Sequence, residues 1–125
     1  MTCFTKRRYQ KDKSNRAIFL DDDKEYADFH KLFLESYGLK TEAVYDEESF
    51  YDSAKKNAPV NFVFVEQSIN GKSGRDFIKK IKSNPEFSGT KFFLLSDIGL
   101  KDNDIDFVLT KPFLYKELLD KIGIK

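Results

Sequence analysis

The stretch Phe62-Val63-Phe64-Val65-Glu66 decides how the chain is read: four apolar residues, alternately aromatic and β-branched, halted by a single acid. An apolar run without polar alternation suits a strand buried on both faces, as in a parallel sheet. Three further runs share this form. Ala17-Ile18-Phe19-Leu20 stops at Asp21-Asp22-Asp23, Lys91-Phe92-Phe93-Leu94-Leu95 stops at Ser96, and Asp106-Phe107-Val108-Leu109 runs into Thr110-Lys111-Pro112-Phe113. In open parallel α/β sheets ligands bind outside the carboxyl ends of the strands, so acids, a hydroxyl and a lysine at four strand ends converge on one pocket.

Helical patterns separate the runs. Tyr26, Phe29, Phe33 and Tyr37 recur at helical spacing and predict a first helix near 24–37, with Asp23 at its start and Gly38 as its stop. Thr41 to Tyr45 begins a second strand, and a helix carrying Phe50 and Ala54 ends before Pro59. A third helix follows Gly74 with Phe77, Ile78 and Ile81 and closes at Asn84-Pro85, and a last one runs from Leu114 to about Ile122 with Tyr115, Leu118 and Leu119. These apolar stripes are assigned to the core, without a binding role. The alternation predicts an α/β fold with a doubly wound parallel sheet. One connection breaks the rhythm. Only nine residues, Asp97 to Ile105, lie between Ser96 and the last strand, whereas a parallel crossover with its helix needs at least ~10–12. A full fourth helix does not fit, and Lys111-Pro112 reads as a tight turn open to the cis form.

The joint order of acidic pair, single acid, Ser/Thr and Lys-Pro, with Gly74 eight residues after Glu66, resembles the receiver domain of two-component response regulators. The resemblance covers residues 16–125 as one receiver-like domain, leaving 1–15 as a basic leader expected to be flexible. It implies a flavodoxin-like sheet of five parallel strands in the order 2-1-3-4-5, here with the fourth helix missing or reduced. It also implies that Asp21 and Asp22 match the magnesium-binding acids, Glu66 the phosphoacceptor position, Ser96 the hydroxyl that follows the phosphoryl group, and Lys111 the lysine that contacts it. Ser68 would offer a backbone carbonyl to the metal. Two departures accompany the short crossover. The phosphoacceptor position holds Glu instead of Asp, and Val108 stands three residues before the lysine, where the family's switch has an aromatic ring.

Glutamate carries its carboxylate outward by about one C–C bond, ~1.5 Å. Misplacement near ~1 Å can cost on the order of 100-fold in rate, so phosphoryl acceptance is expected to be lost or very slow. The longer acid instead projects toward the space of a phosphoryl group, where it can pair with Lys111 as a permanent stand-in. The blander reading, favoured because the missing helix and Val108 remove the apparatus that would report an on-state, is a degenerate site kept as a solvated acidic cluster with a lysine counter-ion. No cofactor is required on either reading; Asp21, Asp22, Glu66 and Ser68 offer hard oxygens that would admit magnesium. Without a metal, the crowded carboxylates should raise one another's proton affinity, against which Lys111 acts. His30 is read as a surface or packing residue of the first helix.

Size and composition frame these readings. A chain of 125 residues, 40% hydrophobic and 34% charged, suits one soluble domain. Its single cysteine, Cys3, allows no internal disulfide. No apolar stretch approaches the ~20 residues of a membrane span, so a cytoplasmic protein without membrane association is expected. The net charge of +1 hides a leader in which residues 1–16 carry six basic residues against Asp12. Nucleic-acid binding through that leader is an alternative function, not favoured because no recognition helix or aromatic platform accompanies the charges. A second alternative is a phosphohydrolase resembling the haloacid-dehalogenase family, with Asp21 as nucleophile and Asp23 as general acid. That family needs a further acidic pair on a later strand, and only Glu117 and Asp120, on the last helix, follow Lys111. The favoured expectation is a non-enzymatic, non-phosphorylatable signalling module acting by constitutive protein–protein interaction. Phe92 to Leu95 and Phe107 to Leu109, left without a fourth helix, would be covered by a protein partner or a second copy.

Overall fold

The computed structural model describes residues 15–123. Its main elements are β1 (Arg16–Leu20), α1 (Lys24–Ser36), β2 (Lys40–Val44), α2 (Glu47–Lys56), β3 (Phe62–Glu66), a small hairpin of β4 (Ser68–Ile69) and β5 (Lys72–Ser73), α3 (Gly74–Lys82), a 3-10 turn at Pro85–Phe87, β6 (Lys91–Ser96), β7 (Phe107–Thr110) and α4 (Tyr115–Ile122). Five strands form one parallel sheet in the order β2-β1-β3-β6-β7. With the hairpin set aside, this is the 2-1-3-4-5 order expected from the sequence. The hairpin, antiparallel with Ser68 opposite Ser73, was not anticipated.

Successive residues of β3 and β6 point to opposite faces and both faces are covered, which is why these strands carry unbroken apolar runs. Ile18, Leu20, Val63, Val65, Phe92 and Leu94 face α2 and α3. Ala17, Phe19, Phe64, Phe93 and Leu95 face α1 and α4. Side-chain oxygens of Asp23, Asp46 and Ser73 accept N–H groups at the starts of α1, α2 and α3, satisfying donors that a helix cannot pair internally. Gly38 ends α1 at a φ of 97°, a conformation that favours glycine.

The buried stripe of α1 differs from the aromatic one read from sequence. Ala27, His30 and Leu34 face inward, while Phe29 is 57% exposed and Tyr26, Phe33 and Tyr37 are half-buried. The aromatic ladder lies about one residue off the inward face, and tertiary packing overrides it. In α4, Leu118, Leu119 and Ile122 are buried but Leu114, the residue before the helix, is exposed.

No helix forms between β6 and β7, as the residue count requires. The crossover instead folds back as a plug. Ile105 is 4% exposed in the core shared by α2 and α3, with Leu100 packed against it. The carboxylate of Asp102 pins the segment to α3 through Arg75 at 2.5 Å and Lys79 at 3.2 Å. Asp106 accepts the backbone N–H of Phe92 at 2.8 Å and lies 3.4 Å from Lys82. Phe92 and Leu94, on the face that carries this plug, are buried, as are Phe93, Leu95 and Leu109 on the opposite face beneath α1 and α4, leaving only Phe107 and Val108 half-exposed. The open apolar face expected on the last two strands is therefore largely closed by the chain itself, because two apolar side chains and an anchored acid take over the missing helix's covering role. Among the described residues no helix is long and apolar enough to cross a membrane. Residues 1–14 of the leader lie outside the described residues.

If Ile105 is the plug, Ile105→Ala should lower stability by about 2–4 kcal/mol, the range for truncating a buried Ile. Urea unfolding measures it, and a loss as small as that of a surface substitution would show that the crossover does not seal the core.

Candidate functional site

Four strand ends meet at the carboxyl edge of the sheet. Glu66 ends the central strand β3 and is 8% exposed. Its position is fixed from behind by Gly74, whose amide donates to the Gln67 carbonyl at 2.8 Å. A Cβ on residue 74 would stand 2.0 Å from the Glu66 carbonyl oxygen, which explains the glycine at this spacing from the acid. Lys111 follows β7 at a cis Lys111-Pro112 peptide and reaches across β6. Its Nζ donates to both carboxylate oxygens of Glu66, at 2.9 and 2.8 Å. It also lies 3.6 Å from Asp97 and 5.3 Å from the centre of the Tyr26 ring. Burial alone would depress the lysine's pKa, but its bonds to Glu66, with the charges of Glu66, Tyr26 and Asp97, hold it above the ordinary value.

Asp21, Asp22, Asp23, Tyr26, Glu66, Ser68 and Lys111 line a cleft of about 240 Å³. The sequence-predicted residues Asp21, Asp22, Glu66, Ser68 and Lys111 are thus brought together. Each acid has a different task. Asp21 is buried and accepts the Asp23 N–H at 3.0 Å. Asp22 accepts the amide of Asn70, at the hairpin tip, at 2.6 Å. Asp23 caps α1 by accepting the Tyr26 N–H at 3.2 Å, as its place before the helix suggests.

Ser96 does not line this cleft. It is fully buried, and its hydroxyl lies within bonding reach of the Gln67 side-chain oxygen at 2.9 Å and the Ile98 carbonyl at 2.7 Å. Gln67, overlooked in the sequence, organises this side of the site. Its Oε1 also accepts the Asp97 N–H, and its Nε2 donates to the Asp97 carboxylate, each at 2.9 Å. A polar side chain directly after the strand-end acid is a weak signal. Asn70-Gly71 is a stronger one, because that pair favours tight hairpin turns.

The donor set as arranged does not fit the magnesium site that the acids suggested. Among the described residues, no three acidic or imidazole groups are grouped to hold an ion. Magnesium demands near-octahedral oxygen ligation, yet both Glu66 oxygens are taken by an ammonium and Asp22 is turned to the hairpin. Burial, with the charges of Glu66 and Asp22, pushes the Asp21 carboxyl up to about 7, against the opposing effects of the Asp23 N–H and Lys111.

His30 lies in the buried face of α1, stacked on Phe19 with ring centres 4.8 Å apart, and its Nδ1 meets the Tyr115 hydroxyl. Burial, with Lys111 nearby, lowers its pKa to about 4. It is a packing residue, and not a surface one. The hydrolase alternative finds Asp23 committed to its helix and Asp120 paired with Lys116 on α4 at 3.0 Å.

The fold superposes closely on known structures. The chemotaxis protein CheY4 of Vibrio cholerae matches with a TM-score of 0.75 at 17% identity, over 86% of this chain and 95% of that one. The CheY-like response regulator receiver domain of Methylobacillus flagellatus matches with a TM-score of 0.74 at 22% identity, over 89% and 98%. The fold is that of a receiver domain. A response regulator of Burkholderia pseudomallei, solved with a phosphorylated aspartic acid, a calcium ion and citrate, matches with a TM-score of 0.74 at 16% identity, over 87% of this chain and 66% of that one. No family model matches the sequence, and no curated protein matches it.

The Asp21 and His30 shifts act on stability with opposite signs. A carboxyl raised from 3.8 to about 7 keeps more protons in the folded state, so its contribution falls as pH rises from about 4 to 7 and is lost above. His30, lowered from 6.5 to about 4, costs stability as pH falls through that interval. Asp21→Asn retains the acceptor for Asp23 but cannot ionise. It should stabilise the protein at pH 8 by about 1–3 kcal/mol and change little at pH 4. Thermal unfolding at both pH values measures this, and equal effects at the two would contradict a raised carboxyl.

Proposed function

We propose that the chain is a receiver-like signalling module that accepts no phosphoryl group and acts by constitutive contact with a protein partner. The observation that carries this reading is the pair of hydrogen bonds from Lys111 to both oxygens of Glu66. By the receiver resemblance, Glu66 occupies the acceptor position and Lys111 is the cation that meets an arriving phosphoryl group. Here that cation is already satisfied by a carboxylate from the same chain. Of the two readings of Glu66, a permanent stand-in is therefore favoured over a merely solvated acid. One carboxylate supplies less charge and fewer oxygens than a phosphoryl group, so the state is fixed rather than strongly driven.

The plugged crossover supports constancy as well. The segment 97–106 is tied to α3 through Asp102 and to β6 through Asp106, and Val108 has neither ring nor hydroxyl to move with the site. In this role the protein catalyses no reaction and needs no metal. The partner, or a second copy, would meet the outer margin of the sheet, where Phe107 and Val108 of β7 are half-buried and Ile98 and Leu114 on neighbouring loops are exposed.

Incubation with acetyl phosphate and magnesium should leave the native chain at its unmodified intact mass. Glu66→Asp is expected to label slowly, because the shorter acid restores the attacking position and frees Lys111. Stoichiometric acid-labile phosphate on the native protein would overturn the reading. Leu114→Asp should weaken association, followed by light scattering for self-association and by co-purification for a partner; undiminished binding would move the interface elsewhere.

A further inference from the structure

Asn70-Gly71 is the only Asn-Gly pair in the chain and forms the two-residue tip of the β4–β5 hairpin, between the paired residues Ile69 and Lys72. Both tip residues have positive φ, 51° and 80°, as a type I′ turn requires. The tip is exposed, and a Cβ added at Gly71 would meet nothing within 4 Å. The Gly71 N–H has no hydrogen-bond partner among the described residues. The Asn70 side-chain amide is held only by a 3.5 Å contact from Nδ2 to the Tyr45 carbonyl, longer than the usual hydrogen bond. At every other asparagine among the described residues, the side chain or the following nitrogen is engaged. Asn61 Oδ1 accepts the N–H of Arg16, the residue after Asn15, at 2.9 Å. Asn57 Nδ2 donates to the Ser53 carbonyl at 2.9 Å, and Asp102 takes the N–H that follows Asn103 at 2.9 Å. Asn84 precedes Pro85, whose nitrogen carries no hydrogen.

Glycine accepts either sign of φ, so the Asn70–Gly71 peptide can flip from type I′ to type II′, the other two-residue hairpin turn. The flip keeps the strand register and swings the Gly71 nitrogen toward the Asn70 Cβ, the placement that closing a five-membered ring demands. We propose that Asn70 is a site of spontaneous deamidation and that the product releases Asp22 from the hairpin. Hydroxide removes the Gly71 amide proton, and the nitrogen's electron pair forms a bond to Asn70 Cγ. The Cγ–Nδ2 bond breaks, and Nδ2 leaves as ammonia after taking a proton from water. One water then opens the succinimide, giving aspartate by attack at the side-chain carbonyl or isoaspartate by attack at the main-chain carbonyl. Both products carry a carboxylate at residue 70, whose N–H donates to Asp22 Oδ2 at 2.6 Å. The two like charges repel, and isoaspartate adds a backbone atom to a loop whose length sets the hairpin's turn type. The assignment is independent of whether Glu66 accepts a phosphoryl group.

Incubation of the full chain at pH 9, at pH 5 and at pH 9 in urea tests it, followed by intact mass, peptide mapping and, after return to pH 7, NMR of the aspartate carboxyl carbons. The native protein at pH 9 should gain one mass unit, confined to the peptide that carries Asn70 and divided between aspartate and isoaspartate. The Asp22 carboxyl resonance should shift in proportion to that gain, and the pH 5 sample should stay unchanged. Asn70→Gly keeps the positive φ and the tip N–H but has no side-chain amide. It should lose the mass gain and hold the Asp22 resonance constant with time. The proposal is overturned if the native chain gains no mass at pH 9, or gains it only in urea, where the fold no longer protects the amide. It is overturned equally if the gain maps to another residue, persists in Asn70→Gly, or leaves the Asp22 resonance where it was.

Discussion

The bond between Lys111 and Glu66 ties the edge of the sheet to its centre, and the electrostatics of the whole carboxyl end follow from it. Its partners are largely buried, with side-chain exposures of 24% for Lys111 and 10% for Glu66. Water does little to compensate either charge if the other is removed, and breaking such a pair commonly costs about 3–5 kcal/mol. The ammonium opposes proton uptake by Asp21 and, on its other flank, disfavours a charged His30. A single side chain thereby stands between the acidic cleft and the rings of Tyr26, Phe113 and Tyr115 around His30. Its place is set by the turn at Pro112 and by the backbone N–H of Lys111, which donates to the Ser96 carbonyl at 2.7 Å.

The second organising feature is the way a short connection serves in place of a helix. A helix would present an apolar stripe to β6 and β7; the crossover presents Leu100 and Ile105 and secures them with Asp102. Asp106 extends the hydrogen bonding of β6 by accepting the Phe92 amide. A carboxylate at this position does what a further backbone carbonyl would do in a longer strand. Two acids and two aliphatic side chains thus preserve the sheet while removing a whole element from its surface.

Much of this was legible in the residues, for identifiable reasons. Runs such as Phe62 to Val65 announce buried parallel strands because neither face reaches water, and nine residues after Ser96 cannot hold a crossover helix. The pairing of Glu66 with Lys111 could be anticipated once both were placed at strand ends. Side-chain direction was not legible. Ser96 stands at the expected strand end, yet Gln67 draws its hydroxyl aside, a contact between residues 29 apart in sequence that no local pattern records. The same holds for Asp22, oriented by the amide of Asn70. The inward face of α1 was misjudged because aromatic spacing and burial differ there by one residue, placing His30 inside and Phe29 outside. The cover of β6 and β7 was misassigned because isolated Leu100 and Ile105 in a polar segment give no periodic signal.

The abbreviated crossover also bears on the order in which the sheet is assembled. Phe93 pairs with Phe107 across only 14 positions, whereas Ala17 pairs with Phe62 across 45. Loop closure costs about (3/2)RT ln n, so the outermost pairing loses roughly 1 kcal/mol less chain entropy than the β1–β3 pairing. With Ile105 and Leu100 carried inside that small loop, β6, β7 and their plug form a compact unit that can gather locally before the two halves of the chain meet. Its margin, last in the spatial order, is thus among the first parts of the sheet that chain entropy permits to close.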